Sequence, residues 1–166
     1  EDKLETQICQ LTANPDHRVC QSNETWYRNG ELLNQGRKHT KHGGHIFQSC
    51  LPLCAISPSS VMIHRQVFNE IGLFDEDLPA CEDYDMWLRL TARYPVLFID
   101  EALTNKYGGH DDQLSRKYWG MDRFRILALE KIIRSDCLCQ DNYTAAVTML
   151  KQKLTIFLNG ADKHGR

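Results

Sequence analysis

Two adjacent carboxylates, Glu82 and Asp83, are the residues in this sequence most suited to acid–base chemistry. Four positions that follow them repeat at i, i+3, i+4 and i+7, namely Tyr84, Trp87, Leu88 and Thr91. That spacing predicts a helix with one buried face, while Arg89 and Arg93 fall on another face. Asp83 is therefore expected in or just before the first helical turn, where it is fixed in position and can point away from the core.

Two interpretations of this acid pair are open. Acids are favoured at a helix N-terminus because they satisfy free N–H groups and oppose the helix dipole, so the pair could simply cap the helix. Alternatively, Asp83 could be a general base, which requires an ionised carboxylate within hydrogen-bond reach of the group that it deprotonates. The helix dipole favours the charged form and burial near Trp87 would disfavour it, so spacing alone does not decide.

A second candidate is His110, which follows Gly108 and Gly109. Glycines permit unusual backbone angles and close approach of the chain to a ligand. A histidine in such a loop could close over an anionic or metal-bearing ligand. The alternative is an ordinary exposed loop histidine.

A third group lies in the basic loop of residues 37–45 and just beyond it. Its members are His39, His42, His45, Cys50 and Cys54. Zinc ligands can have such spacings, but the paired Cys-x2-Cys module of structural zinc sites is missing from this group. A solvated basic loop is the simpler interpretation.

Composition describes an ordinary globular domain. The chain has 166 residues, a formal net charge of −2 and 25% charged residues, which argues against a nonspecific nucleic-acid binder. No apolar run approaches the roughly 18–20 residues of a transmembrane segment. The odd count of seven cysteines, without framework spacing, favours free thiols and a reducing, cytoplasmic compartment.

Hydrophobic periodicity and turn residues predict a mixed α/β layer with helices stacked at one end. The first half is expected to contain a helix over 2–11 with Leu4, Ile8 and Leu11 on its apolar face, strands over 19–22 and 25–28, a turn at Asn29-Gly30, a strand over 61–63, and a helix over 65–71 ended by Gly72. The second half is expected to contain a strand over 96–99, a loop over 107–110, a helix over 116–134, a last helix with Val147, Leu150, Leu154 and Phe157 that ends before Asn159-Gly160, and a disordered tail over 161–166.

Two segments carry a family resemblance. The run Gly72-Leu73-Phe74-Asp75-Glu76, followed by Glu82-Asp83-Tyr84-Asp85-Met86-Trp87-Leu88-Arg89-Leu90, resembles the second half of family 2 glycosyltransferases of the GT-A fold. Residues 107–115, with His110 and Ser115, look like the C-terminal histidine segment of that family. The fold implied is α/β, the mixed-sheet half of a GT-A domain with two C-terminal helices.

The resemblance implies inverting transfer of a sugar from a nucleotide-sugar donor to the hydroxyl of a glycan or lipid-linked acceptor, as in bacterial-type polysaccharide biosynthesis. It makes Asp83 the base, with Glu82 orienting it or contacting the acceptor. It gives His110 a part in holding a divalent metal, Mn or Mg, or the diphosphate. Further acceptor or loop candidates are Trp87, Arg89, Gly108 and Gly109. Trp87 and Leu88 are also expected to anchor the helix in the core.

One departure limits this inference. Such enzymes begin with a nucleotide-binding half that ends in a metal-binding Asp-x-Asp, and the sequence lacks that half. We therefore expect residues 1–134 to form the acceptor-side part of the domain and residues 135–166 a C-terminal helix and tail. We expect this chain alone to be inactive and to self-associate, as a homodimer that covers the exposed face. Its expected location is the cytoplasm or the inner face of the membrane.

Two other functions remain open from sequence. The chain could be a noncatalytic interaction module that kept this half-fold and uses the basic loop of residues 37–45 to bind an anionic partner. It could also be a small zinc-stabilised domain built on His39, His42, Cys50 and Cys54.

Overall fold

The computed structural model describes residues 2–36, 39–108, 118–163 and 165, and it confirms the α/β class. The chain divides into two compact units. The sheet unit comprises residues 1–46, 55–72 and 94–111, and the helical unit comprises residues 47–54, 73–93 and 112–166. In chain order the elements are α1 (Asp2–Ala13), β1 (Val19–Arg28), β2 (Glu31–Leu33), α2 (Phe47–Cys50), β3 (Val61–Ile63), α3 (Arg65–Ile71), α4 (Glu82–Thr91), β4 (Leu97–Gly108), α5 (Asp122–Arg134) and α6 (Gln140–Lys163).

The sheet is mixed, and β1 is its central strand. β1 pairs antiparallel with β2 and β3 and parallel with β4. The two short strands predicted over 19–22 and 25–28 are one continuous strand, because a register shift around Asn23 absorbs the irregular stretch between them. Bulges of this kind bend a strand without ending it.

The predicted hairpin turn is confirmed. Asn29 and Gly30 have positive φ angles of 53° and 84°, and Arg28 pairs with Glu31 directly across the turn. Asn-Gly is the preferred dipeptide where both central residues of a hairpin need positive φ.

The apolar face predicted for α1 is not buried. Leu4 and Ile8 are 57% and 56% exposed, whereas Gln7 is fully buried. The amide of Gln7 donates to the backbone oxygen of Ser60 at 3.0 Å, so α1 is attached to the sheet unit through a buried polar contact. The helical spacing of the apolar residues predicts this helix correctly, but it predicts the wrong face as the buried one.

In the helical unit, α4 carries the predicted core face. Tyr84, Trp87, Leu88 and Thr91 are each at most 2% exposed, and Met86 and Leu90 are buried as well. Phe124, Ala128 and Ile132 of α5 are buried as well. Within the part of the chain that the structure describes, no helix is both long and apolar enough to span a membrane.

Three predicted boundaries are wrong. β4 continues to Gly108, through the start of the predicted loop. α5 begins at Asp122, because Gly120 adopts a left-handed φ of 64° ahead of it, whereas the predicted helix includes residues 118–121; residues 116 and 117 lie outside the described residues. α6 runs through Asn159-Gly160 to Lys163, so that residues 161–163 of the predicted disordered tail are helical. Leu154 is 38% exposed, while Ala146 and Lys153 are buried.

Gly120 gives a testable consequence. A Cβ at this position would lie 2.9 Å from Cε2 of Phe157, and the left-handed backbone also disfavours a side chain. We expect Gly120→Ala to lower the free energy of unfolding by about 2 kcal/mol, measured by urea denaturation. Gly36→Ala is the matched control, because nothing lies within 4 Å of its Cβ position. Equal stability of the two variants would contradict the packing described here.

Candidate active site

The acid pair opens α4. The residue before it, Cys81, has a left-handed backbone with φ 62° and makes no side-chain hydrogen bond to the helix. Glu82 and Asp83 therefore fall in the first turn, as predicted, and both are partly exposed. The buried face of the helix keeps this turn in place, so the two carboxylates sit on a rigid element.

The carboxylate of Asp83 is oriented through one of its oxygens. The backbone N–H of Tyr84 donates to Oδ1 at 2.7 Å, and the thiol of Cys54 lies 3.4 Å from the same atom as a second donor. No residue in ranges 2–36, 39–108, 118–163 donates to Oδ2. Asp83 thus satisfies a first-turn N–H, as a helix cap does, and retains an oxygen that can accept a proton. The two interpretations of the acid pair are compatible.

Cys54 can act only as a donor in this contact. Burial raises the pKa of its thiol far above the usual value, and the charge of Asp83 and the hydrogen bond to it raise it further. Burial likewise raises the pKa of Cys81 to about 11. All seven cysteines, each within the described ranges, are free thiols. Cys54 therefore stays protonated over the physiological pH range and holds Oδ1 of Asp83.

A buried hydrogen bond brings Cys54 to this position. The hydroxyl of Tyr84 donates to the backbone oxygen of Leu51 at 2.6 Å, and Tyr84 is fully buried. Burial raises the pKa of Tyr84 well above its usual value, so the hydroxyl keeps its proton. The contact ties the segment Phe47–Cys54 to the first turn of α4.

Tyr84→Phe tests this attachment. The variant leaves the buried backbone oxygen of Leu51 without its donor, and we expect a loss of about 1–2 kcal/mol in the free energy of unfolding. Tyr143→Phe is the control, because Tyr143 is 43% exposed. We also expect Cys54 to react faster with iodoacetamide in Tyr84→Phe. Unchanged stability and thiol reactivity would show that the hydroxyl does not hold the segment.

The second aspartate of the motif, Asp85, has a different role. It is 1% exposed and lies in two ion pairs. Arg89 donates to Oδ2 through Nε at 2.9 Å and Nη2 at 2.7 Å, and Nζ of Lys131 lies 2.8 Å from Oδ1. Buried charges of this kind are retained only when they are paired, so Asp85 is a structural residue that joins α4 to α5.

The same network reaches the Leu73–Asp75 part of the motif. Lys131 lies 2.5 Å from Oδ2 of Asp75, and Nη2 of Arg89 donates to the backbone oxygen of Leu73 at 3.0 Å. Arg89, an acceptor candidate from sequence, therefore has its guanidinium engaged within the fold. The spacing of the motif residues follows from two sets of contacts. One joins Asp75, Asp85 and Arg89 to Lys131 or to one another, and the other consists of the contacts of Asp83.

The network predicts a pH dependence of stability. The hydrogen bond from Lys131 holds the pKa of the Asp75 carboxyl below its usual value. A depressed pKa in the folded state stabilises the protein above the unfolded pKa of about 3.9, and this contribution disappears as pH falls through the folded pKa. We expect the free energy of unfolding to fall below about pH 4, and Asp75→Asn to flatten that decline. An identical pH profile in Asp75→Asn would contradict the pairing.

The other candidates lie as follows. Trp87 is 1% exposed, packs edge-to-face on Phe74 at 6.2 Å between ring centroids, and its Nε1 is buried without a partner among the described residues. Trp87 therefore anchors α4 in the core, which is one of the two roles expected of it. The other role, contact with an acceptor, does not fit its burial. Gly108 is the last residue of β4. Gly109 and His110 lie outside the described residues.

The basic loop and the cysteines do not form a metal site in the described part of the chain. There, no group of three or more His, Cys, Asp or Glu side chains is placed to hold a metal ion, which removes the support for the zinc-stabilised alternative. Lys41 of the loop is 7% exposed and paired with buried Glu24, and His39 packs on Trp26. Lys41 is consequently a poor contact for an anionic partner, and Arg37 and Lys38 of the loop lie outside the described residues.

Sequence reasoning missed three contributors to the helical unit. Cys54 was considered only as a zinc ligand, and Lys131 was not singled out. Arg125, from α5, pairs with Asp122 at 2.8 Å and its charge lowers the pKa values of Cys54 and Cys81 against the larger effect of burial. Spacing within one helix carries no signal for partners that come from distant segments.

Comparison with known proteins shows which protein family the chain belongs to. A family model described as glycosyltransferase like family 2 matches residues 7–147. Three relatives are similar to this chain over 71 residues, and each is named an uncharacterized glycosyltransferase. They come from Rickettsia felis, Rickettsia conorii and Rickettsia bellii and are 39%, 37% and 35% identical to this chain. That stretch is 42% of this chain and only 12%, 12% and 10% of the relatives.

The α/β fold is that of a GT-A-like glycosyltransferase domain. Because the family match spans most of the sequence, the chain belongs to glycosyltransferase-like family 2. The matched stretch covers about an eighth of the length of the curated relatives.

Proposed function

We propose that this chain supplies the acceptor side of an inverting glycosyltransferase, with Asp83 as the general base. The observation that carries the proposal is the carboxylate of Asp83 in the first turn of α4. The N–H of Tyr84 and the thiol of Cys54 fix its Oδ1, while no described residue donates to Oδ2. Membership in family 2 supports the reaction class.

The proposed step is a single displacement at the anomeric carbon, without a covalent enzyme intermediate. The acceptor hydroxyl gives its proton to Oδ2 of Asp83 as its oxygen attacks the anomeric carbon of a nucleotide-sugar. The bond from that carbon to the diphosphate breaks on the opposite face, and the nucleoside diphosphate leaves with the electron pair. Attack opposite the leaving group inverts the anomeric configuration. Glu82 is one residue away, and its side chain has no hydrogen bond to any described residue. It is proposed to contact the acceptor.

A divalent cation, Mn or Mg, is proposed to accompany the nucleotide-sugar in the whole enzyme, where it would neutralise charge on the diphosphate. Among residues 2–36, 39–108, 118–163 and 165, no group of three potential ligands is placed for it. His110 remains the residue that the family resemblance assigns to it. The role of Asp83 is independent of that assignment.

The test uses the longest natural reading frame that contains these residues, incubated with manganese, a panel of nucleotide-sugars, and glycan or lipid-linked acceptors. We expect transfer to an acceptor hydroxyl with the anomeric configuration opposite to that of the donor, read by proton NMR of the early product. A product that retains the donor configuration would overturn the mechanism. The 166-residue chain alone is expected to give no transfer, and the predicted homodimer is tested by light scattering of the same preparation.

A further inference from the structure

The segment Phe47–Cys54 lies in the helical unit and begins with the short helix α2. Phe47 and Leu51 are buried, so their side chains anchor the segment in the core of that unit. At the end of the segment, the thiol of Cys54 lies 3.4 Å from Oδ1 of Asp83. The segment therefore brings a donor to the carboxylate that is proposed to act as the base.

Two further hydrogen bonds fix this segment. The backbone oxygen of Leu51 accepts the hydroxyl of Tyr84 on α4 at 2.6 Å. Nε2 of Gln48 donates to Oδ1 of Asn142 on α6 at 3.3 Å. The segment is thus bonded to both α4 and α6, and these bonds hold the backbone from which the side chain of Cys54 extends.

The two donors to Oδ1 of Asp83 differ in origin. The N–H of Tyr84, at 2.7 Å, belongs to the next residue along the chain and stays close to Asp83 wherever the segment lies. The thiol of Cys54 comes from 29 positions away. Among the residues that the structure describes, it is the only donor to this carboxylate from outside α4. This contact therefore ties the direction of the carboxylate to the rest of the helical unit.

The protonation state of Cys54 fits a donor. Burial raises the pKa of its thiol, and the charge of Asp83 raises it further, so the thiol keeps its proton. A thiolate at this place would repel the carboxylate, whereas the protonated thiol donates to it.

The direction of Oδ2 matters for the transfer. A general base acts on a hydroxyl about 2.6–3.2 Å away, and a misplacement of about 1 Å can lower a rate about 10²-fold. We propose that Cys54 is a positioning residue of the transfer, which holds Asp83 in the orientation that leaves Oδ2 for the acceptor hydroxyl. This proposal rests on the proposed function, because Cys54 acts only through the base.

Cys54→Ala and Cys54→Ser test this role in the longest natural reading frame that contains these residues. We expect Cys54→Ala to lower kcat about two- to tenfold, which corresponds to the loss of one hydrogen bond. The KM for the acceptor should stay near the wild-type value, because Cys54 contacts the base and not the acceptor. Cys54→Ser keeps a donor and is expected to retain kcat within about twofold.

The order of the two variants separates positioning from packing. A thiol that only fills space behaves as a small hydrophobe, so alanine would replace it better than serine, whose hydroxyl is costly to bury. Positioning predicts the reverse order, with Cys54→Ser more active than Cys54→Ala. The matched control is Cys137→Ala, which should retain full kcat. Cys137 is also a half-buried thiol of the helical unit, and it lies 3.0 Å from the hydroxyl of Ser135 and not beside Asp83.

A second measurement needs no transfer and uses the 166-residue chain itself. The three-bond couplings of the β-protons of Asp83, measured by NMR, report whether its side chain keeps one rotamer. We expect one rotamer in the wild type, in Cys54→Ser and in Cys137→Ala, and averaging between rotamers in Cys54→Ala. If Cys54→Ala fails to fold, Tyr84→Phe replaces it, since it frees the segment at Leu51 and should also lower kcat.

Failure of this proposal differs from failure of the proposed function. Transfer by the wild type with an equal kcat in Cys54→Ala would overturn the positioning role and leave the base in place. A Cys54→Ser variant less active than Cys54→Ala would overturn it as well, and so would one fixed rotamer of Asp83 in Cys54→Ala. No transfer by the wild type would overturn both proposals.

Discussion

Asp83→Asn is expected to lower the rate of sugar transfer by about 10²–10⁴-fold, the usual contribution of a general base. The amide that this substitution introduces cannot take a proton from the acceptor hydroxyl. Its oxygen can still accept the N–H of Tyr84 that now reaches Oδ1 of Asp83 at 2.7 Å, so the orientation of the side chain should persist. The measurement is kcat/KM for the acceptor in the longest natural reading frame that contains these residues.

The result must separate catalysis from folding. The midpoint of thermal unfolding of Asp83→Asn should lie close to that of the wild type, because the position is partly exposed and the change is isosteric. Asp77→Asn is the matched control, an exposed aspartate of the neighbouring loop that should retain full activity. Transfer by Asp83→Asn at the wild-type rate would mean that another group deprotonates the acceptor.

Much of the fold follows from local signals in the sequence. The face of α4 that carries Trp87 was predictable because a period of 3.6 puts those residues on one side of a helix, and a helix this apolar on one side must be buried. Asn29-Gly30 predicted its turn because few dipeptides tolerate two positive φ angles. In both cases the determining interaction lies within a few residues along the chain.

The wrong predictions arise where contacts with distant segments of the chain determine the structure. Leu4 and Ile8 of α1 repeat with helical period, yet Gln7 is the residue that the fold buries, because Ser60 offers its amide a partner. α6 continues through Asn159-Gly160, a typical stop signal, because these residues are weak breakers when the helix on both sides is formed. The local sequence does not show that Ser60 is the partner of Gln7, nor that the helix continues on both sides of Asn159-Gly160.

The candidate site divides in the same way. The acid pair was found by motif and helix period, and the resemblance supplied the role for Asp83. One of the two contacts that orient it comes from Cys54, 29 positions away, and the role of Asp85 depends on Lys131, 46 positions away. The sequence treats Asp83 and Asp85 alike, whereas burial separates a partly exposed carboxylate from one that is 1% exposed.

That difference predicts the largest effect on stability. Asp85→Ala is expected to lower the free energy of unfolding by about 2–3 kcal/mol, because it removes the charge-assisted hydrogen bonds that Arg89 and Lys131 make to a buried carboxylate. Alanine is the better helix former, but that gain is only about 0.7 kcal/mol and does not offset the loss. Urea denaturation of Asp85→Ala against Asp77→Ala, an exposed neighbour, measures it.

A double-mutant cycle shows where this energy resides. Lys131 is 43% exposed at its side chain and can turn towards water once Asp85 is gone, so Lys131→Met alone should cost less than Asp85→Ala. The two changes together should cost less than their sum, since the ion pair is lost only once. Additive effects would mean that Lys131 and Asp85 act independently and that Arg89 alone neutralises Asp85. In that case Asp75 and α5 would not be coupled to the motif helix through the buried carboxylate, and the spacing of the motif would need another explanation.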